Sequence, residues 1–228
     1  EFTYTLNEGT LAENYEIKVD KGTLKVTSST EAIAIASSSR SWTYDCDLHK
    51  DEVYTVTYGG TAVAAEPDGK TFTLPTGDKL VISSTAAGVK YYDENYSENN
   101  TFDYALENED QYTGTKSKTY GTLSIEKTAL TITANSEEKT YDGTALTNDG
   151  HEITSGSLAS CDKIKSVTVT GSQTEVGTSA NVASGAVIED IEGTDRTDNY
   201  DITYVDGTLK VTKNVTEIVI AAASDSKM

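Results

Sequence analysis

Short stretches of strict alternation run along this chain. Leu130, Ile132 and Ala134 alternate with Thr131 and Thr133, and Val167 and Val169 alternate with Thr168 and Thr170. Leu24 and Val26, like Leu209 and Val211, alternate with lysine and threonine, and Val56 sits between Thr55 and Thr57. A period of two sends one set of side chains to a core and the other to water. Each stretch therefore predicts a half-buried antiparallel strand with a threonine-rich solvent face. Gly, Asn, Asp and Ser interrupt the strands roughly every eight to twelve residues, the spacing of a sandwich or barrel. Asp206-Gly207 predicts a hairpin turn over Tyr204–Gly207, because that pair tolerates the positive φ angles of a type I′ turn. Two segments, 62–66 before Pro67 and 155–160, have helical character but are too short for a core helix.

The strands recur as a set. The stretch ENYEIKVDKGTLKVT, residues 13–27, returns 185 residues later as DNYDITYVDGTLKVT, residues 198–212, and a degraded copy starts at Tyr120. With the shared Gly-Thr-Leu as ruler, Gly22, Gly121 and Gly207 are 99 and 86 residues apart. That is the length of one small domain, so the chain is a tandem array. A second block agrees: IAIASSSRSWTYDC from Ile33, LTITANSEEKTYDG from Leu130, and IVIAAASDSKM from Ile218. GDKLVI (77–82) matches CDKIKS (161–166), and VKYYDEN (89–95) falls where the second repeat has VGTSAN (176–181). The frame is thus 1–27, the closing strands of a preceding repeat; 28–126, repeat one with an aromatic and acidic insertion; 127–212, repeat two; and 213–228, the opening strand of a following repeat. Tyr44 is expected to superpose on Tyr141 and Leu123 on Leu209. The fold expected is all-β, in tandem Ig-like antiparallel β-sandwich domains. A β-grasp-like small sheet domain with a short helix is the alternative if Leu158 and its neighbours are helical. Phe2, Tyr4, Leu6, Ile17, Val19, Leu24 and Val26 need a partner, because two or three strands do not stand alone. Head-to-tail self-association through the end strands supplies one.

The order KTYDGT, SLASCDK, TVTGSQTEVGTSAN, NYDITYVDGTLKVTK resembles the MBG/YDG-type repeats of bacterial cell-surface, adhesin-like proteins. Repeat two carries all four blocks. Repeat one departs from them, with Cys46 in place of the glycine and VKYYDEN in place of the VGT block. The resemblance implies a secreted or wall-attached protein in which such domains are stalk or display units, with no catalytic residues to transfer.

Charge narrows the partners. With 37 acidic against 18 basic residues the net charge is −19, which disfavours nucleic acid and anionic membrane surfaces. No apolar run is long enough to span a bilayer, and residues 1–6 do not open a signal peptide. The expected location is extracellular, on a bacterial cell surface or cell wall. The two cysteines, Cys46 and Cys161, stand where the sister repeat has Gly143 and Gly77. They read as incidental, in a protein that does not rely on disulfides.

Candidate chemistry is sparse. Tyr44-Asp45 and Tyr141-Asp142 read as scaffold, a packed ring followed by an aspartate-capped turn. His49 and His151 lie in separate repeats without zinc-ligand spacing, and no nucleophile elbow appears, so no enzyme is expected. Asp190, Asp195 and Asp198 are weak calcium candidates in an acidic run that lacks an EF-hand pattern, and no cofactor is expected. Tyr91, Tyr92, Tyr96 and Tyr104, set among carboxylates and amides, are candidates for recognising a host glycan or protein. A lysine–asparagine isopeptide bond is disfavoured because Lys25 and Lys210 alternate outward.

Overall fold

The computed structural model describes residues 3–223 and 227. Among them are sixteen strands, three 3₁₀ turns and no α-helix. The fold is all-β, and residues 155–160, around Leu158, carry no helix. The first half holds β1 (Ile33–Ser37), β2 (Arg40–Thr43), β3 (Tyr54–Tyr58), β4 (Thr61–Val63), β5 (Thr71–Thr73), β6 (Lys79–Ser84), β7 (Phe102–Leu106), β8 (Lys116–Thr119) and β9 (Leu123–Glu126). The second holds β10 (Thr128–Ala134), β11 (Glu137–Thr140), β12 (His151–Ser155), β13 (Asp162–Thr170), β14 (Gly177–Asp190), β15 (Tyr200–Val205) and β16 (Gly207–Thr212).

Both halves pair their strands by one plan. β1 lies antiparallel to β3 and parallel to β8, as β10 lies antiparallel to β12 and parallel to β15. β2 runs parallel to β9 with Arg40 opposite Leu123, and β11 runs parallel to β16 with Glu137 opposite Leu209. β6–β7 and β13–β14 are antiparallel. Three of the five sheets are therefore mixed and one is a parallel pair, not antiparallel throughout as expected. Two consecutive strands at the start of each half and two at its end turn the same corner side by side, which makes both pairs parallel.

That corner also corrects the expected hairpin. β15 and β16 belong to different sheets, and Asp206 is the bend between them. Gly207 is needed for close approach: a Cβ there would collide with the carbonyls of Ala134 and Asn135, as one at Gly121 would with those of Ser37 and Ser38. A fully buried asparagine pins each crossing. Asn100 Nδ2 donates to Ser38 O at 2.9 Å, and Asn181 Nδ2 donates to Asn135 O at 2.9 Å and Asn148 O at 2.8 Å. The same residues bridge to Gly121 and Gly207. Asn100, not Asn95, is thus the counterpart of Asn181, and the insertion of repeat one ends before it.

One apolar cluster, including Ile33, Val56, Phe72, Leu80 and Phe102, lies wholly within the first half. A second crosses the boundary, joining Tyr44, Leu123 and Ile125 to Leu130, Ile132, Ile188 and Tyr200. A small third one holds Leu146, Leu209 and Val211.

Within one chain the described residues of the end segments pair with no strand. Leu24 and Val26 form no strand and are 101% and 92% exposed; Tyr4, Leu6, Ile17 and Val19 are exposed too. Phe2 lies outside the described residues. The reason is topological: the edge of β1 that such strands would pair with is already taken by β8, and that of β2 by β9. Ile218, Val219 and Ile220 are likewise exposed.

Candidate functional site

The chemistry of the chain gathers where the two halves meet. Tyr44 continues the β2–β9 pairing by one residue, its amide donating to Glu126 O at 2.8 Å. This fixes its side chain against the start of repeat two. The Thr128 hydroxyl donates to Tyr44 O at 2.7 Å. The Tyr44 ring is 3% exposed and meets the Tyr200 ring edge to face, with centroids 5.6 Å apart. Both phenols donate to one oxygen, Asp162 Oδ2, at 2.9 Å from Tyr44 and 2.7 Å from Tyr200. Tyr200 also accepts from the Ala159 amide at 2.9 Å. Burial, and then the Asp162 carboxylate, push the Tyr44 phenol well above its ordinary pKa. Burial is also the largest cause at Tyr200, which is raised as well. Both phenols stay protonated donors at physiological pH.

A covalent bond lies beside it. Cys46 and Cys161, 115 residues apart in sequence, form a disulfide with Cα atoms 6.3 Å apart. The expectation that these cysteines are incidental is therefore wrong. Cys46 does occupy the glycine turn position, at φ +76° against +79° for Gly143, but across the junction that turn faces the loop entering β13. The two sulfurs and the Asp162 carboxylate lie within 4.8 Å of one another. Thiolates are the ligands of metals, and a disulfide offers none.

The insertion of repeat one packs onto the same junction. Arg196 lies 3.9 Å over the Tyr91 ring and Lys127 4.5 Å over the Tyr92 ring. The Tyr92 amide donates to Asn199 Oδ1 at 2.7 Å, and Tyr96 Oη donates to Tyr91 O at 2.8 Å. All three rings are half-buried against the second cluster. Tyr104 is apart from them, packed on the first cluster with Lys118 above it at 5.7 Å. An open, polar-lined cavity of about 360 Å³ lies beside this group, bounded by Tyr92, Asp93, Glu94, Asn95, Lys127 and Asp198.

The three aspartates are not brought together. Asp190 accepts from the Thr194 and Glu192 amides at 2.9 and 3.0 Å and from Arg196 Nε at 2.9 Å. Asp195 accepts from the Thr197 amide and hydroxyl at 2.9 and 2.7 Å, and Asp198 lines the cavity. Among the described residues they form no common ligand set. The His49 ring stacks on Trp42 at 4.9 Å and bonds Asp45 at 2.9 Å.

Sequence reasoning passed over Asp162, Arg196 and Asn199. For Asp162 a signal existed, since the Asp-Lys pair recurs in GDKLVI and CDKIKS. Comparison with family models, with curated proteins and with solved structures returned no match.

Proposed function

We propose that the chain is a non-catalytic spacer and display module of an extracellular, adhesin-like bacterial protein, built from Ig-like β-sandwich repeats of the YDG kind with mixed sheets. The observation that carries this is the junction. A buried tyrosine, a shared carboxylate and a disulfide tie one repeat to the next, which is what a module needs to hold its neighbours at a fixed angle. A disulfide persists in oxidising surroundings, in keeping with a location on the cell surface or wall. The charge of −19 keeps such modules soluble and apart.

A second reading, a glycan-binding module, draws on the cavity bounded by Tyr92, Asp93, Asn95 and Lys127, where an aromatic face sits beside polar groups. An array of glycans and extracellular-matrix proteins probed with the intact chain separates the two. The spacer reading expects no specific ligand. Binding that is lost on Tyr92→Ala favours the second.

A further inference from the structure

The filled junction has an open counterpart on repeat one. At the junction, Tyr44 enters a socket made by Glu126–Thr128, Asp162 and Tyr200. In repeat one, Asp78 stands where repeat two has Asp162, and Tyr112 where it has Tyr200. Residues 27–31 lead into β1 as 126–128 lead into β10. Tyr112 Oη donates to Asp78 Oδ2 at 2.5 Å, as Tyr200 donates to Asp162 at 2.7 Å. Each of these tyrosines directly follows a 3₁₀ turn, Glu109–Gln111 in one repeat and Thr197–Asn199 in the other. In repeat two the space beside the pair holds Tyr44. In repeat one it is a cavity of about 490 Å³, lined by Thr27, Glu31, Thr76, Asp78 and Tyr112 among others.

Repeat two carries the matching plug. The Tyr141 amide donates to Thr212 O at 2.8 Å, as that of Tyr44 does to Glu126 O at 2.8 Å. Asp142 closes its turn through the Thr144 amide at 2.9 Å, as Asp45 does through the Asp47 amide at 2.8 Å. Gly143 and Cys46 share one backbone conformation. The difference is burial: Tyr44 is almost fully buried, whereas Tyr141 is half-buried and borders an open, apolar-lined cavity.

We infer that the Asp78–Tyr112 cavity receives the Tyr141–Asp142–Gly143 turn of a second copy of this chain. The contact repeats the internal junction between molecules. The incoming phenol donates to Asp78, whose ionised carboxylate accepts several donors at once. Gly143 and Gly77 stand where the internal junction has its two cysteines, so this contact is non-covalent and reversible. It joins unlike surfaces, so each added copy brings a further plug and a further socket and association continues past a dimer. Neither end segment, 3–27 or 213–223, pairs into a strand; Val26 and Thr27 line the socket, and Lys213, Asn214, Thr216 and Ile218 border Tyr141, so both segments move aside or join the contact as the turn docks. Mutual repulsion of the acidic chains opposes assembly, and added salt relieves it.

Sedimentation velocity on the full chain at rising concentration, in low and high salt, tests this. The mean mass should climb past that of a dimer, and more steeply in high salt. Tyr141→Ala removes the plug and Asp78→Ala removes the acceptor, so either variant alone should stay monomeric. An equimolar mixture of the two retains one working plug and one working socket, and should form a heterodimer and stop there. If the Asp78 variant loses its melting transition, Thr76→Trp takes its place, since it fills the cavity from an exposed turn. A chain that stays monomeric throughout, assembly indifferent to both variants, or a mixture that stays monomeric overturns the inference. None of these outcomes touches the spacer reading, which stands or falls on the ligand array.

Discussion

Cutting the bond between Cys46 and Cys161 should be the costliest single change at the junction. The bond closes a loop with a sequence separation of 115 residues. Chain-entropy scaling for that length gives about 4.8 kcal/mol at 25 °C, all of it from constraint on the unfolded chain. For a chain of this size that corresponds to a fall in Tm of roughly 10–20 °C. Two variants separate the bond from the turn that carries it. Cys161→Ala loses the bond and leaves Cys46 at φ +76°, a left-handed conformation that disfavours a side chain. Cys46→Gly loses the same bond but places there the residue repeat two uses, and so should recover up to ~1 kcal/mol. Urea denaturation followed by tyrosine fluorescence, oxidised and with dithiothreitol, measures all three states. Wild type with reductant should match Cys161→Ala. A loss below ~1 kcal/mol would refute the loop argument, and two titratable thiols in the denatured, unreduced protein would refute the bond itself.

Asn181→Ala strips two part-buried carbonyls, those of Asn135 and Asn148, of a donor; about 2–4 kcal/mol should be lost in denaturant titration, and a loss within error would mean that water replaces the amide. Gly207→Ala forces a Cβ onto the Asn135 carbonyl and should cost about 3 kcal/mol, whereas a type I′ hairpin glycine at that site would tolerate asparagine, so Gly207→Asn should be at least as damaging. Stability should also depend on pH through depressed carboxylates: the Thr71 hydroxyl and amide hold Asp68 at about 2, and the Thr194 amide with Arg196 holds Asp190 below its usual value. Groups depressed on folding stabilise fully above their unfolded pKa near ~4 and lose this as pH falls through the folded value. The Tm should therefore be level above about pH 5 and fall between pH ~4 and ~2; a Tm that rises on acidification contradicts the assignment. Calcium should leave the Tm unchanged, because Asp190 and Asp195 already serve protein donors; an EGTA-reversible gain near 2.7 kcal/mol at about 100 times Kd would restore the metal reading.

What the sequence could tell was local. The threonine alternation of β10 and β16 is a property of single strands, and it survives into the structure. The stretch GTLKVT occurs at both 22–27 and 207–212, yet Leu24 is fully exposed and Leu209 fully buried. Identical residues take opposite environments because burial comes from β11 and β14, which only the second copy has beside it. Gly207 was conspicuous, but its reason lay in a strand seventy residues upstream and not in the aspartate next to it. The disulfide was hidden for the same cause: each cysteine occupies a turn position in its own repeat, and only the stacking of repeats makes the two turns neighbours. Tyr44 and Tyr141 share their sequence context, and nothing in that context says that the first is almost fully buried and the second only half-buried.

The crosslink gives the chain a second route between its ends. Tension applied at the two termini runs along the backbone to Cys46, passes through the sulfur atoms to Cys161, and continues to the far end. Everything from β3 to β12 sits in a closed loop off that line and carries none of the load. Drawn straight, the loop would add about 400 Å to the length of the molecule, at ~3.6 Å per residue; bridged, it adds the 6.3 Å between two Cα atoms. Only β1, β2 and β13–β16 remain to be peeled away, and most of the first repeat's core is beyond the reach of a steady pull.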